Sequence, residues 1–198
     1  MNYVVLPRKC VPATVYLKPE STVFSQGDRA GSLYLVRSGC IVICRVTRSG
    51  HRLVAEFVFA GEVFGWEVAR DHQYSAQSAG CSAIQTFLPS QTEELQRTTL
   101  SSSFNLLREE HLVVSRPSAE ARVAAFLENL LVRQGGVRQI RLPMHRFDIA
   151  AYLGLSPETV SRVLHRFMKS ELIAMPDLHT IIVLDRAALK LASRLETD

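Results

Sequence analysis

The stretch Phe147-Asp148-Ile149-Ala150-Ala151-Tyr152-Leu153-Gly154-Leu155-Ser156-Pro157-Glu158-Thr159-Val160-Ser161-Arg162-Val163-Leu164-His165-Arg166 decides the fold of the C-terminal half of the chain. Ile149, Ala150 and Leu153 fall on one apolar stripe at helical spacing, and the small Ala150 lets a second helix cross close by. Gly154 supplies a left-handed C-terminal cap, a conformation tolerated without strain only where there is no side-chain branch, so a helix ends there and the chain turns sharply. Ser156 is placed to be the next N-cap, with Pro157 in the first helical position, where its missing N–H costs nothing. Val160, Val163, Leu164 and Phe167 then recur three and four apart as the buried face of a second helix. Glu158, Ser161, Arg162, His165 and Lys169 are left on the opposite side.

A plain helical hairpin with a solvated polar face would show the same pattern, so the flanks matter. After Lys169, Leu172-Ile173-Ala174, a turn around Met175-Pro176-Asp177-Leu178-His179, and Thr180-Ile181-Ile182-Val183-Leu184 predict a hairpin in the place of a wing. Before the motif, Gln139-Ile140-Arg141-Leu142 is a short strand candidate. A helix-turn-helix with a wing places its second helix in the major groove of double-stranded DNA. Charge agrees: residues 133 to 169 hold seven Lys/Arg against two acidic residues, whereas residues 1 to 115 hold eleven against ten. Such a local excess attracts phosphate without choosing a sequence. The choice lies with side chains at base edges, where Arg162 can donate a bidentate pair to guanine and Glu158 can accept from cytosine. Ser161, His165 and Lys169, with Ser156 and Thr159 at the helix start, complete the candidate DNA-binding set. The competing use of Glu158 and Arg162 is an intrahelical ion pair, since they are four apart in the favourable order.

A chain of 198 residues allows two modest domains, and 47% hydrophobic residues is a globular proportion, so each can bury a core. No run of about twenty apolar residues occurs, and Met1-Asn2-Tyr3-Val4-Val5-Leu6-Pro7-Arg8 lacks the charged-then-apolar order of a signal peptide. A soluble, cytoplasmic protein with no membrane partner is expected. Cys10, Cys40, Cys44 and Cys81 form no C-x-x-C pair and no zinc spacing, so reduced thiols and no metal are expected. On one strand Cys40 and Cys44 would stand about 13 Å apart, too far to bridge.

The first ninety residues read as β-structure. Thr14 to Leu17, Ser32 to Arg37, Cys40 to Arg45, Leu53 to Phe59 and Ala83 to Leu88 are strand candidates, separated by Gly27-Asp28, Gly31-Ser32, Ser38-Gly39, Ser49-Gly50, Gly61-Glu62 and Gly80, the rhythm of a small antiparallel roll. From Thr92 to Ser115 the pattern turns helical. Leu100, Phe104, Leu107, His111 and Val114 alternate four and three apart, a seam fit either for a second copy of the chain or for its own roll. Pairing of two copies is favoured, because a two-fold reader of DNA needs a symmetric partner. Arg116-Pro117-Ser118 breaks that helix as a hinge. Ala119 to Arg133 resumes as an amphipathic helix burying Val123, Phe126, Leu127, Leu130 and Leu131, and Gly135-Gly136 ends it. The predicted class is α+β: an antiparallel β-roll over residues 1–91, a dimerisation helix and hinge over 92–116, and a winged helix-turn-helix over 117–198.

This order of parts resembles the CRP/FNR family of bacterial transcription regulators over nearly the whole chain. The resemblance rests most on Ala119-Glu120-Ala121-Arg122-Val123-Ala124-Ala125-Phe126-Leu127 and on the run from Leu142 to Phe167, where Asp148-Ile149-Ala150, Tyr152-Leu153-Gly154-Leu155 and Glu158-Thr159-Val160-Ser161-Arg162 are similar to the FixK and FNR branch. It implies a cyclic-nucleotide-binding-like roll, a homodimer, RNA polymerase as a partner, and a TTGA-type half-site read by Glu158, Ser161 and Arg162. The CRP branch tends to carry arginine where Pro157 stands, so its TGTGA-type specificity is not implied.

The resemblance is weakest at the effector. A cyclic-nucleotide pocket in this family resembles F-G-E followed by R-S-A, the glutamate taking the ribose and the arginine the phosphate. Here Phe64-Gly65-Trp66-Glu67 displaces the glutamate, and Tyr74-Ser75-Ala76 puts tyrosine in place of the arginine. Gly65, Glu67, Arg70, Tyr74 and Ser75 are therefore weak effector candidates, cyclic AMP and GMP are disfavoured, and the effector is left unknown. With only Cys10 in the first thirty-nine residues, the spacing of the four cysteines does not suggest the iron–sulfur centre of the FNR proteins either, and no cofactor is expected. Three alternatives remain: a regulator answering a small ligand or redox change, a ligand-binding module whose winged helix contacts protein, and a cupin-like metal enzyme. Against the last, the β-region offers only His51 and His72, without an H-x-H pair.

Overall fold

The computed structural model describes residues 13–67, 69–87, 113–136 and 138–194, and the chain divides into two compact units, residues 1–106 and 107–198. Among the described residues of the first unit, eight strands form two four-stranded sheets: β1 (Thr14–Leu17), β2 (Thr22–Phe24), β3 (Leu33–Ser38), β4 (Cys40–Val46), β5 (Arg52–Phe59), β6 (Val63–Phe64), β7 (Ser75–Ser78) and β8 (Ser82–Phe87). The sheet orders are β1-β8-β3-β6 and β2-β7-β4-β5, and all pairings are antiparallel. Phe24, Val36, Ile41, Val58, Phe64, Ala76 and Ile84 form one buried cluster drawn from both sheets. Burial removes apolar surface from water on the inner face of each sheet, which fixes the register of the strands that contribute to this cluster.

The five strands expected from β-branched and aromatic runs are present within a residue of their expected bounds. Three were not expected. β2 and β6 are two or three residues long, and β7 is Ser-Ala-Gln-Ser, a composition that carries no strand propensity. Its neighbours place it there: β7 lies between β2 and β4, fully buries Ala76, and its Ser78 hydroxyl donates to the Lys18 carbonyl at 2.5 Å. Cys40 and Cys44 are both buried on β4, Cys81 is exposed, and none of the three is in a disulfide. Cys10 lies outside the described residues.

The second unit is built from α1 (Ala119–Arg133), β9 (Gln139–Arg141), α2 (Arg146–Leu153), α3 (Pro157–Lys169), β10 (Ile173–Asp177), β11 (Thr180–Val183) and α4 (Arg186–Ala192), with a three-stranded sheet in the order β10-β11-β9. α1 packs on α3 and α4, and α2 packs on α3. The five apolar residues expected on the inner face of α1 are all buried, joined by Ala121, Ala124 and Ala125. α1 stops at Arg133 with Gln134 as its C-cap, so Gly135 and Gly136 come just after the end. Two details depart from expectation. The wing strand β10 runs through Met175-Pro176 to Asp177, leaving Leu178-His179 as a tighter turn, and α4 follows the wing. Pro176 is accommodated because β10 is an edge strand with a register shift between Ala174 and Asp177. The Asp177 carboxylate accepts from the His179 N–H at 2.7 Å, closing the turn.

α2 ends as its sequence requires. Gly154 adopts φ 63° and ψ 39°, its N–H and that of Leu155 both donate to the Ala150 carbonyl, and the chain leaves toward Ser156. The Arg122 guanidinium, reaching over from α1, donates to the Leu153 carbonyl at 3.2 Å and to the Arg116 carbonyl at 2.8 Å. It thereby places a cation at the negative end of α2 and ties α1 to the turn. A Cβ on Gly154 would meet nothing nearer than that guanidinium, at 3.7 Å. Gly154→Ala is therefore expected to cost only the left-handed backbone penalty, about 1–2 kcal/mol in urea unfolding.

Candidate nucleic-acid interface

α3 begins with a cap made by its own side chains. The Ser156 hydroxyl accepts from the Thr159 N–H at 3.2 Å and lies 3.1 Å from the Thr159 hydroxyl, while Pro157 occupies the first turn. Arg162 donates to the Thr159 hydroxyl at 3.1 Å. The Glu158 carboxyl is held below the usual carboxylate range, first by its own backbone N–H, then by the Ser156 hydroxyl, with the Arg162 charge contributing least. The acid and the base thus lean on the helix start rather than on each other. This departs from the ion pair that their spacing allows, because backbone N–H groups at a helix N-terminus compete for the carboxylate.

Around α3 the partition is clean. Val160, Val163, Leu164 and Phe167 are buried; Glu158, Ser161, Arg162, His165 and Lys169 are exposed, as is Ser156, and Thr159 is half-buried. All seven candidate DNA-binding residues therefore belong to one thirteen-residue helix and its cap, with five of them along one open face. At 1.5 Å per residue that helix is about 20 Å long, and its diameter of about 10–12 Å fits the major groove of B-form DNA.

Sequence reasoning missed Arg166. It forms an ion pair with Glu120 of α1, their side chains 64% and 40% exposed. Together with Ser118, Ala119, Thr159 and Arg162 they line an open cleft of about 410 Å³ beside the polar face. Arg166 lies one helical turn from Arg162, a spacing that was a legible signal. Arg146, in the first turn of α2, extends beneath the wing toward Met175 and the Leu178 carbonyl, and burial pulls its guanidinium pKa down.

Four of the five effector candidates of the roll, Gly65, Glu67, Tyr74 and Ser75, are engaged internally. A Cβ on Gly65 would meet the Tyr34 ring at 2.6 Å. Glu67 accepts from the Gln73 N–H at 3.2 Å and stands 3.7 Å from His72 Nδ1, and Ser75 accepts from the Gln26 N–H at 2.8 Å. Tyr74 lies under the Arg45 guanidinium at 5.7 Å, and Arg70 is exposed. Between them, Phe24 stacks on the buried His72 at 3.7 Å and packs with Tyr34 and Phe64, so aromatic rings occupy this part of the roll. Burial raises the Tyr34 pKa. Of the proposed dimer seam, Leu100, Phe104, Leu107 and His111 lie outside the described residues; Val114 is half-buried. Among the described residues no group of three His, Cys, Asp or Glu side chains is arranged to hold a metal ion, and no helix is long and apolar enough to cross a membrane.

The family model of the Crp-like helix-turn-helix domain matches residues 121–192, and that of the cyclic nucleotide-binding domain matches residues 14–85. The nitrogen fixation regulation protein FixK of Rhizobium meliloti (strain 1021) is 39% identical over 176 residues, 87% of this chain and 83% of its own length. The chain belongs to the CRP/FNR family of transcription regulators, in its FixK/FNR-like branch. The fumarate and nitrate reduction regulatory protein of Escherichia coli (strain K12) is 34% identical over 188 residues, covering 86% of this chain and 75% of that one. Among solved structures, FixK2 from Bradyrhizobium japonicum superposes with a TM-score of 0.86 at 23% identity, covering 95% of this chain and 100% of that one, which bears on the fold. As a CRP/FNR regulator the chain is a DNA-binding protein with a helix-turn-helix, and the α+β architecture of roll and winged helix is that of its family.

Within this family reading, stability and recognition separate on α3. Ser156→Ala removes the cap and should cost about 1 kcal/mol in denaturant unfolding, whereas the exposed Arg162→Ala should stay within about 0.5 kcal/mol of the parent.

Proposed function

We propose that the protein is a homodimeric regulator that binds a TTGA-containing palindrome and recruits RNA polymerase, with residues 1–91 as a roll, 92–116 as dimer helix and hinge, and 117–198 as reader. The observation that carries this reading is the exposed stripe of α3, where Arg162 and Glu158 stand open to solvent on a helix whose opposite side is fully buried. Arg162 takes the guanine of the half-site through two parallel donors, Glu158 accepts from a cytosine amino group, and Ser161 adapts between them. His165, Lys169, Ser156 and Thr159 extend the contact along the groove. Two copies set two such helices one helical turn apart, which is why the seam from Leu100 to Val114 is assigned to pairing. The relatives are regulatory proteins, which supports a cytoplasmic, non-enzymatic protein.

The roll is assigned no cyclic nucleotide. Gly65, Glu67, Tyr74 and Ser75 already serve internal contacts, and the position of the phosphate-binding arginine holds Tyr74. Control then falls to the abundance of the protein or to an input other than cyclic AMP or GMP.

Mobility shifts at fixed salt test the reader: Arg162→Ala should weaken binding by about 1–3 kcal/mol and relax selectivity at the guanine position. Equal affinity of the parent protein for TTGA palindromes and for scrambled duplexes would end this reading. Calorimetry with millimolar cyclic AMP should give no heat and no gain in operator affinity.

A further inference from the structure

We propose that the Glu120–Arg166 pair is a latch on a phosphate contact: Arg166 takes a backbone phosphate of DNA, and Glu120 competes for the same guanidinium, holding down affinity for duplexes of every sequence. The inference rests on the DNA-binding reading above and adds a residue that lowers binding rather than making it.

The position of Arg166 on α3 carries the first step. At about 100° per residue, Arg166 and Thr159 stand about 80–100° round from Glu158, between the open stripe and the buried one. A helix laid in a groove barely wider than itself turns its centre line to the bases and its shoulders to the phosphate walls. The cleft opens on that shoulder, with Arg162 and Arg166 on the α3 side and Glu120 opposite.

The second step is electrostatic. Arg166 is exposed and Glu120 half-buried at the edge of an open cleft, so water and salt reach the guanidinium and a phosphate can displace the carboxylate. Arg162 is held by the Thr159 hydroxyl, a neutral group that offers a phosphate no repulsion. Glu120 is different. It carries a negative charge into a cleft that would face a polyanion, so each binding event must break the pair and tolerate the carboxylate nearby. A merely structural Glu120, serving the first turn of α1, would affect folding and leave DNA affinity alone.

The test is fluorescence anisotropy of the full-length protein with a TTGA-palindrome duplex and a scrambled duplex across a salt series, for the parent, E120Q, R166A and the double variant. E120Q should tighten both duplexes by the same factor, roughly three- to tenfold at low salt, because removal of one nearby charge acts on the sequence-independent part of binding. R166A should weaken both alike and flatten the log–log salt slope by about 1. In the R166A background E120Q should lose most of its effect, since the group it competes for is gone. The latch is overturned if E120Q leaves affinity unchanged or lowers it, or if the two effects simply add. Should E120Q prove unfolded by thermal melting, R166A alone decides: an unchanged salt slope overturns the phosphate contact. A parent protein that fails to distinguish the two duplexes sinks the reader itself, whereas a discriminating parent with an inert E120Q sinks only the latch.

Discussion

The direction in which α3 points is settled by three consecutive residues. Gly154 turns left-handed, Leu155 returns its N–H to Ala150, and Ser156 opens the next helix. The turn is braced from outside by Arg122, whose guanidinium holds the last carbonyl of α2 while its own helix packs against α3. None of these contacts uses a side chain from the exposed face of α3. The scaffold therefore delivers that face without drawing on it, and its residues are left to a second molecule.

A related economy operates within the face itself. A consistent assignment of protons runs from Arg162 to the Thr159 hydroxyl, on to the Ser156 hydroxyl and from there to the Glu158 carboxylate. A long, flexible side chain is thus partly ordered before it meets a base. Ordering that is complete in the free protein need not be imposed on binding, which is where long side chains ordinarily lose affinity. Regulators of this family work by discriminating among very many competing sites, and a pre-set guanidinium suits that task.

Much of this was legible in the sequence, and the reasons differ by element. The turn of the helix-turn-helix was plain because each of its residues, Gly154, Ser156 and Pro157, does something no other residue does as well. The long strands β3, β4 and β5 were plain because their residues pack as alternating or continuous apolar runs. β7 was hidden, since Ser75-Ala76-Gln77-Ser78 becomes a strand only when β2 and β4 supply partners on both sides. The aromatic filling of the roll was hidden too: Phe24, Tyr34, Phe64 and His72 are far apart in the chain, and only the closed sheets bring them into contact. Arg166 was passed over because it stands between the polar and apolar stripes, where a two-sided reading of a helix has no category for it.

Pro176 has a consequence beyond the shape of the wing. β10 is the outermost strand of its sheet, and an outermost strand offers a ladder of unsatisfied backbone groups to any extended peptide that drifts against it. At Pro176 one rung has no hydrogen to give, and the adjacent slip in register spoils the spacing of the others. The wing gains from this, because it cannot be zipped into a continuous sheet with a neighbour's.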